Sequence, residues 1–255
     1  MPAIRTAREL ARAELTSQIK CEARRQLAEQ GAQRLSLRAV ARELGMASSA
    51  IYRYFPSRDE LLTAMIVDAY DALGDAVEGA AGAGPGTDAR ARWRACCHAV
   101  RSWALASPHE YALIYGSPVP GYRAPRQTVE PAGRVPVVIG SILSDAWPDG
   151  GSRPAAPGDG RRPAQDRAAL AADHAGPLAS SELPGQLAAQ AAVIAGHIAP
   201  GVPGPVVARA LVAWTQLFGM VSFELFGQLA GSADPADGFF AFAVEQMADY
   251  LGLPG

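Results

Sequence analysis

LSLRAVARELGMASSAIYRYFPSRDELL, residues 35–62, is the stretch that decides the fold of this 255-residue chain. One apolar helical face is formed by residues spaced i, i+3, i+4 and i+7, namely Leu37, Val40, Ala41 and Leu44. Ser36 precedes this helix as an N-cap. Gly45 ends it, because glycine takes the left-handed conformation at the end of a helix at low cost.

A second short helix is predicted to begin at Ser48 or Ser49 and to end before Pro56, which cannot continue a helix. Ser57 and Glu60 are spaced as a capping box, so a longer helix is predicted to follow them. Two short helices around a glycine turn make a helix-turn-helix, whose second helix places its N-terminal residues in the DNA major groove. The alternative is an ordinary helical hairpin with tyrosines on its surface.

The same stretch resembles the N-terminal DNA-binding domain of the TetR/AcrR family of bacterial transcriptional regulators. The resemblance is carried by LRAVA at 37–41, LG at 44–45, IYRYFPS at 51–57 and ELL at 60–62, and upstream by Ile19, Ala23, Leu27 and Gly31. The motif geometry and the resemblance together predict DNA contacts at Ser36, Arg38, Ala47, Ser48, Ser49, Tyr52, Arg53, Tyr54 and Arg58. Many family members carry Ser or Thr where this chain has Ala47, so the cap of the recognition helix is expected one residue later, at Ser48.

Composition favours an all-α fold of about nine to ten helices. The hydrophobic fraction is 49%, it is rich in alanine, and aromatic residues make up only 7% of the chain, which favours helix. No stretch alternates as a strand would. We predict a three-helix DNA-binding domain at 1–60 and a helical ligand-binding and dimerisation domain at 61–255. Residues 148–180, rich in Pro, Gly and charge, are predicted to be a disordered insertion.

Charge is distributed unevenly along the chain. Residues 1–60 hold 11 Lys and Arg against 7 Asp and Glu, and residues 61–255 hold 12 against 18. A basic N-terminal segment followed by an acidic remainder is typical of a DNA-binding domain attached to a regulatory domain. Arg5, Arg8 and Arg12 belong either to a flexible arm that adds phosphate contacts or to a simple charged leader.

The location predicted from the sequence is the cytoplasm. The charged N-terminus does not have the pattern of a signal peptide. No apolar run suggests a membrane span. The three cysteines are an odd number and do not make a disulfide framework.

Dimerisation is predicted from residues 205–251, where a helix that is apolar nearly all round must be buried on both sides. WTQLFGMVSFELFG at 214–227 and YALIYGSPVPGY at 111–122 look like the C-terminal domain of a TetR subgroup. That resemblance implies that the last two helices pair with their copies in a four-helix interface. The residues predicted to dimerise are Val207, Leu211, Val221, Leu225, Phe239, Val244 and Met247. A two-fold dimer matches a palindromic operator in double-stranded DNA.

Family membership also implies a pocket for an apolar small-molecule inducer in the body of the protein. The candidate lining residues are Trp93, Cys97, Trp103, Tyr111, Tyr115, Tyr122, Trp147, Trp214 and Phe218, with His98, Arg101 and His109 as the nearby polar groups. For each one, the alternative is an ordinary core residue. No cofactor and no metal is predicted.

An enzymatic function is not predicted, because the sequence contains no P-loop, G-x-S-x-G or H-E-x-x-H motif. Cys96 and Cys97 point about 100° apart on a helix, which makes them poor chelators. The predicted function is therefore a repressor released from its operator by a hydrophobic ligand. The alternatives are a DNA-binding dimer that responds to no ligand, and a cysteine-based redox or metal sensor.

Overall fold

The structure, a computed structural model, describes residues 6–82, 88–147 and 183–254. These parts of the chain contain nine α-helices and no strand, which confirms the all-α prediction. The helices are α1 (Ala7–Gln30), α2 (Leu37–Glu43), α3 (Arg58–Ala81), α4 (Ala89–Ala106), α5 (Pro108–Tyr115), α6 (Val129–Ala146), α7 (Gly185–Ile198), α8 (Gly204–Leu225) and α9 (Asp237–Leu251).

The helices divide into two compact units. The N-terminal unit comprises Met1–Ala72 and Ala106–Ala132, and the C-terminal unit comprises Leu73–Leu105 and Gly133–Gly255. Helix α3 therefore contributes its first part to one unit and its last part to the other. The functional division predicted between residues 60 and 61 stays a prediction, and the predicted insertion at 148–180 lies outside the described residues.

The core of the N-terminal unit is the predicted helix-turn-helix covered by α1. Its buried side chains are Ile19, Ala23, Leu27, Leu35, Leu37, Val40, Ala41, Ile51, Phe55, Leu61, Leu62 and Met65. The apolar stripes that the sequence places on α1 and α2 both face this core, because residues three and four apart share one face of a helix.

Helix α1 begins at Ala7, earlier than the residues that carry the family resemblance. Thr6 and Glu9 form a full capping box, in which the Thr6 N–H donates to Glu9 at 2.7 Å and the Glu9 N–H donates to the Thr6 hydroxyl at 3.3 Å. Arg8 and Arg12 therefore lie in a helix and not in a flexible arm. Arg5 lies outside the described residues.

The Ser36 cap, the Gly45 turn and the Ser57 side of the predicted capping box form as the sequence predicts. The Ser36 hydroxyl accepts a hydrogen bond from the backbone N–H of Ala39 at 3.4 Å. Gly45 has a φ of 64°, a left-handed conformation that side chains disfavour. At the start of α3, the Ser57 hydroxyl accepts a hydrogen bond from the backbone N–H of Glu60 at 3.1 Å.

The structure differs from the prediction in the second helix of the motif. Residues 46–55, the recognition segment, form a turn followed by one 3₁₀ turn at Ile51–Arg53. No side chain caps this turn, so Ser48 does not act as the predicted N-cap and an α-helical first turn lacks that stabilisation. The buried side chains of Ile51 and Phe55 hold the segment in the core at both ends of the 3₁₀ turn.

Helix α5 and the loop that follows it pack within the N-terminal unit. Arg24 of α1 forms ion pairs with Asp68 of α3 at 2.8 Å and with Glu110 of α5 at 2.9 Å. The Tyr122 and Thr63 hydroxyl oxygens lie 2.8 Å apart and share a hydrogen bond. These contacts join α1, α3 and α5 around the edge of the helix-turn-helix core.

The C-terminal unit is built on the buried face of α4. Trp93, Cys96 and Val100 lie on that face and are fully buried. The Trp93 indole N–H donates to the Val244 carbonyl of α9 at 3.1 Å, which fixes α4 against α9. Helix α8 packs between α7 and α9.

Within the described residues, α8 is long and apolar enough to cross a membrane by length and composition alone. Only 39% of its most apolar window is buried inside the structure. Core helices of water-soluble proteins share that length and composition, so this property is weak support for a membrane span. It does bear on assembly, because α8 carries apolar side chains that its own chain leaves exposed.

Candidate functional sites

The recognition segment presents a row of small and polar side chains over a closed core. Ala47, Ser48, Ser49, Tyr52 and Arg53 are all exposed, whereas Ile51 and Phe55 are buried. The Ala50 N–H donates to the Ala47 carbonyl at 2.8 Å, and the Tyr54 N–H donates to the Ile51 carbonyl at 2.9 Å. This alternation turns one face of the segment to the hydrophobic core and leaves the other exposed.

Arg38 of α2 is exposed in the same unit. Three other predicted DNA-binding residues, Ser36, Tyr54 and Arg58, are partly buried or hydrogen-bonded within the protein. The Arg58 guanidinium donates to the Ala32 carbonyl at 2.7 Å and to the Leu35 carbonyl at 3.2 Å. These hydrogen bonds hold the start of α3 against the segment that connects α1 to α2. The Ser36 hydroxyl caps α2, and Tyr54 is half-buried. Arg58 is better explained as a residue that holds the motif together.

Arg12 reaches the recognition segment, although it is absent from the predicted contacts. Its Nη2 donates to the carbonyl oxygen of Arg53 at 3.3 Å. Its guanidinium carbon also lies 5.5 Å from the centre of the Tyr54 ring, a cation–π distance. The sequence hinted at this role, because Arg5, Arg8 and Arg12 could belong to an arm that contacts phosphates. A simple charged leader explains the same three residues equally well.

The aromatic residues predicted to line a ligand pocket are divided between the two units. Tyr111, Tyr115 and Tyr122 belong to the N-terminal unit. Tyr111 is fully buried, and its ring centre lies 5.2 Å from that of Tyr115. The Tyr115 ring also meets Tyr70 of α3 edge-on, with 6.0 Å between ring centres. Burial raises the pKa of the Tyr115 hydroxyl well above its ordinary value. These three are packing residues of the N-terminal unit.

Most of the remaining candidates are core residues of the C-terminal unit. Trp93 and Cys97 are fully buried on α4. Trp147 is buried too, with its ring atoms within van der Waals distance of the Gly252 position. Trp103 is half-buried. The polar candidate Arg101 is held by ion pairs to Glu224 at 2.7 Å and Asp237 at 3.0 Å.

Two candidates lie together on α8, where the Trp214 and Phe218 rings meet edge-on with 5.8 Å between their centres. Trp214 also lines a cleft of about 210 Å³ within the C-terminal unit. The side chains and glycine that line the cleft are Pro136, Ile139, Gly140, Leu143, Ile194, Ile198, Ala199, Val207, Ala210, Leu211 and Trp214. Of the nine residues predicted to line a ligand pocket, one, Trp214, lines this cleft.

Comparison with known proteins places both units in one family. Residues 22–65 match the family described as "Bacterial regulatory proteins, tetR family". Residues 93–247, more than half of the chain, match "Tetracyclin repressor-like, C-terminal domain". The chain belongs to the TetR family of transcription regulators. Regulators of this family bind DNA and act as dimers.

Several known proteins are similar to this chain over most of their length. The HTH-type transcriptional regulators Rv1816 of Mycobacterium tuberculosis and Mb1846 of Mycobacterium bovis are each 39% identical over 220 residues, covering 86% of this chain and 83% of the relative. The crystal structure of the regulatory protein SCO4313 is 32% identical, with a TM-score of 0.69 over 95% of this chain and 98% of that one. A structure from Rhodococcus sp. RHA1, 24% identical with a TM-score of 0.62 over all of both chains, shares the fold.

The residues predicted to dimerise this TetR-family chain need a correction. Val207, Val221, Val244 and Met247 are at most 2% exposed. A side chain that is already buried within one chain has no surface left to bury against another. Of the predicted set, Leu211 and Leu225 are half-buried and Phe239 is exposed. Exposed apolar side chains lie on α7 (Val193), on α8 (Val212 and Phe223) and directly after α8 (Phe226).

The cysteines of this TetR-family chain differ in exposure. Cys21 is exposed, whereas Cys96 and Cys97 are fully buried and none of the three forms a disulfide. Burial raises the pKa of the Cys96 thiol to about 12 and raises that of Cys97 well above its ordinary value. Among the described residues, no group of three or more His, Cys, Asp or Glu side chains could hold a metal ion. Neither buried thiol is poised for redox chemistry, because the thiolate is the reactive form.

Proposed function

We propose that this protein represses transcription as a cytoplasmic homodimer that binds a palindromic operator and is released by an apolar small molecule. The observation that carries the proposal is the exposed row of the recognition segment, with Arg38 in the same unit. Small side chains at Ala47, Ser48 and Ser49 permit close approach to base edges. Tyr52 and Arg53 supply hydroxyl and guanidinium groups for phosphates or bases.

The dimer follows from the apolar surface of α8. Val212 and Phe223 are exposed on one face of that helix, and Gly219 and Thr215 lie between them on the same face by helical spacing. Val193 adds an exposed apolar residue on the neighbouring α7. Exposed apolar patches of this kind mark protein interfaces. Two copies related by a two-fold axis would present two recognition segments to the two half-sites of an inverted repeat.

Release requires a ligand that binds one conformation of the dimer more tightly than the other. Helix α3 is the covalent route for such a response, since it runs from Arg58 in the N-terminal unit to Ala81 in the C-terminal unit. A shift at the C-terminal end of α3 would change the spacing of the two recognition segments. They would then no longer match successive turns of the major groove.

The test is binding of the purified protein to the intergenic DNA upstream of its own gene, at fixed salt and with excess unrelated DNA. We expect protection of an inverted repeat. Binding that is weak, strongly salt-dependent and equal on all sequences would contradict operator recognition, because phosphate contacts alone give that behaviour. Operator binding that withstands every apolar ligand that binds the protein would leave a ligand-independent dimer as the function.

A further inference from the structure

The first two turns of α1, residues 7–14, extend beyond the core of the N-terminal unit, and we call them the α1 extension. All eight residues are exposed, and the buried stripe of the helix begins only at Ile19. The capping box of Thr6 and Glu9 fixes the start of the extension as a regular helix. The extension is therefore a rigid element, and its side chains point in directions set by about 100° of rotation per residue.

The charges of the α1 extension are segregated by face. Arg8 and Arg12 are four residues apart, so they lie on one face with one turn between them. Glu14 follows Arg12 by two residues and therefore lies on the opposite side of the helix. The Glu9 carboxylate is turned back to the Thr6 N–H at 2.7 Å. One face of the extension thus carries two positive charges and no carboxylate.

The other cations of α1 are all paired with carboxylates. Lys20 and Arg24 pair with Asp68, and Arg25 pairs with Glu22 and Glu29, at distances between 2.6 and 2.8 Å. Among the residues that the structure describes, Arg8 and Arg12 pair with no carboxylate. Like charges at a spacing of four residues destabilise a helix. An anion from outside the chain would remove this repulsion, so the face favours an anionic partner.

Arg12 holds this basic face against the recognition segment. Its Nη2 donates to the Arg53 carbonyl at 3.3 Å, and its guanidinium carbon lies 5.5 Å from the centre of the Tyr54 ring. Arg8 lies one turn before Arg12, about 6 Å along the helix axis, and its side chain is exposed. Arg8 is therefore one helical turn away from the C-terminal end of the recognition segment, where the Arg53 side chain is exposed as well.

We propose that Arg8 binds a DNA phosphate that flanks the site of the recognition segment, so that the α1 extension is a second DNA contact of this chain. Arg8 makes the contact, and Arg12 is a positioning residue that fixes the extension beside the recognition segment. A guanidinium–phosphate contact is charge-assisted and carries no sequence information. The inference rests on the proposed function only in that the partner is DNA, and it needs neither a palindrome nor a releasing ligand.

The experiment measures the affinity of the full chain for two duplexes by fluorescence anisotropy at several salt concentrations. One duplex is the DNA upstream of its own gene and the other is an unrelated sequence of equal length. For Arg8→Ala we expect a loss of about five- to tenfold on both duplexes. The slope of log affinity against log salt should fall by about 0.9 for each bound subunit. Arg8→Lys keeps a positive charge for the phosphate and should retain most of the slope.

The matched control moves the same charge to another face of the helix. Leu10 is 54% exposed and lies about 200° around the helix from Arg8. Arg8→Ala combined with Leu10→Arg therefore keeps the net charge of the extension but turns it away from the recognition segment. We expect this double variant to bind as weakly as Arg8→Ala. Recovery of the wild-type affinity and slope would overturn the assignment, because net charge alone would then explain the effect.

Two further results overturn the assignment: an unchanged salt slope for Arg8→Ala, or a loss confined to the upstream duplex, which would indicate a base contact. Far-UV circular dichroism checks that each variant keeps its helix content, and Arg8→Gln replaces Arg8→Ala if that variant does not. Parallel losses on both duplexes, together with a wild-type chain that protects no inverted repeat, would support this contact and contradict the proposed operator recognition.

Discussion

The guanidinium of Arg12 lies over the ring of Tyr54, 5.5 Å from its centre, and donates to the carbonyl oxygen of Arg53 at 3.3 Å. One side chain of α1 therefore contacts two consecutive residues of the recognition segment. The 3₁₀ turn of that segment has no side-chain cap. Arg12 therefore supports the segment at the C-terminal end of the turn, opposite the uncapped N-terminal end.

Replacing Arg12 with alanine should weaken operator binding several-fold, because the end of the recognition segment loses a cation–π contact and a hydrogen bond of about 0.5–1.5 kcal/mol each. Fluorescence anisotropy with a labelled operator at fixed salt measures the effect. Arg25→Ala is the matched control, since it removes the same charge from α1 at a residue paired with Glu22 and Glu29. Equal losses in the two variants would mean that only net charge matters.

Replacing Arg53 with alanine should weaken operator binding about tenfold, the usual magnitude for a direct base or phosphate contact. If Arg53 contacts a phosphate, binding to unrelated DNA should fall in parallel and the salt slope should drop by about 0.9. If it contacts a base, only the operator should lose affinity. Arg42→Ala, on the exposed side of α2, is the control. An unchanged affinity for Arg53→Ala would contradict our placement of the recognition segment.

The sequence predicts the N-terminal unit well because its signals are local. Ile19, Ala23 and Leu27 are spaced so that they share one face of a helix, and Ser36, Gly45 and Ser57 act at the positions where their chemistry predicts. The recognition segment differs because tertiary contacts decide it. Ile51 and Phe55 are anchored in the core, and this anchoring outweighs the weak helical preference of so short a stretch.

The cleft of the C-terminal unit and the dimer face could not be predicted in the same way. Helix α8 is apolar nearly all round, so its sequence does not say which face meets α6, which meets α9 and which stays exposed. Val207 was expected at the dimer interface and lines the cleft, while Val212 is the exposed residue. Gly140 and Ala210 leave room for the cleft because they are small, and no sequence motif marks residues of this kind.

Replacing Arg92 with alanine should destabilise the C-terminal unit by about 2 kcal/mol. Its guanidinium is 8% exposed, donates to the Ala81 carbonyl and the Ser141 hydroxyl at 2.9 Å each, and pairs with Asp145. Urea unfolding measures the loss. Arg134→Ala is the control, because its partners Asp75 and Glu78 are 74% and 46% exposed and such pairs contribute less than about 1 kcal/mol. A larger loss for Arg134→Ala would contradict the importance of burial.

Acid should destabilise the protein partly through Glu245. Its hydrogen bond from Arg94, and a second from Arg90, lower its pKa below the ordinary value of 4.5. The unfolded chain therefore binds more protons at this carboxyl than the folded chain does. The stabilising contribution is fully present above pH 4.5 and is lost as the pH falls through the folded-state value.

Thermal unfolding between about pH 6 and pH 3 tests this contribution. Glu245→Gln should lower the melting temperature at pH 6 and flatten its decline towards acid. Glu130→Gln removes an exposed carboxyl of α6 and should leave the acid dependence as in the wild type. A Glu245→Gln profile parallel to that of the wild type would mean that the ion pairs with Arg90 and Arg94 contribute nothing to folding.

Thiol labelling decides whether the cysteines sense oxidants. Cys21 is exposed, whereas burial raises the pKa of Cys96 to about 12 and leaves Cys97 without access to solvent. Iodoacetamide needs the thiolate, so we expect the folded protein to take up one label, at Cys21, and the chain unfolded in urea to take up three. Peptide mass spectrometry after timed labelling locates each adduct. Rapid modification of Cys97 in the folded protein, together with loss of operator binding, would restore the redox-sensor hypothesis, and Cys97→Ala should then abolish that response.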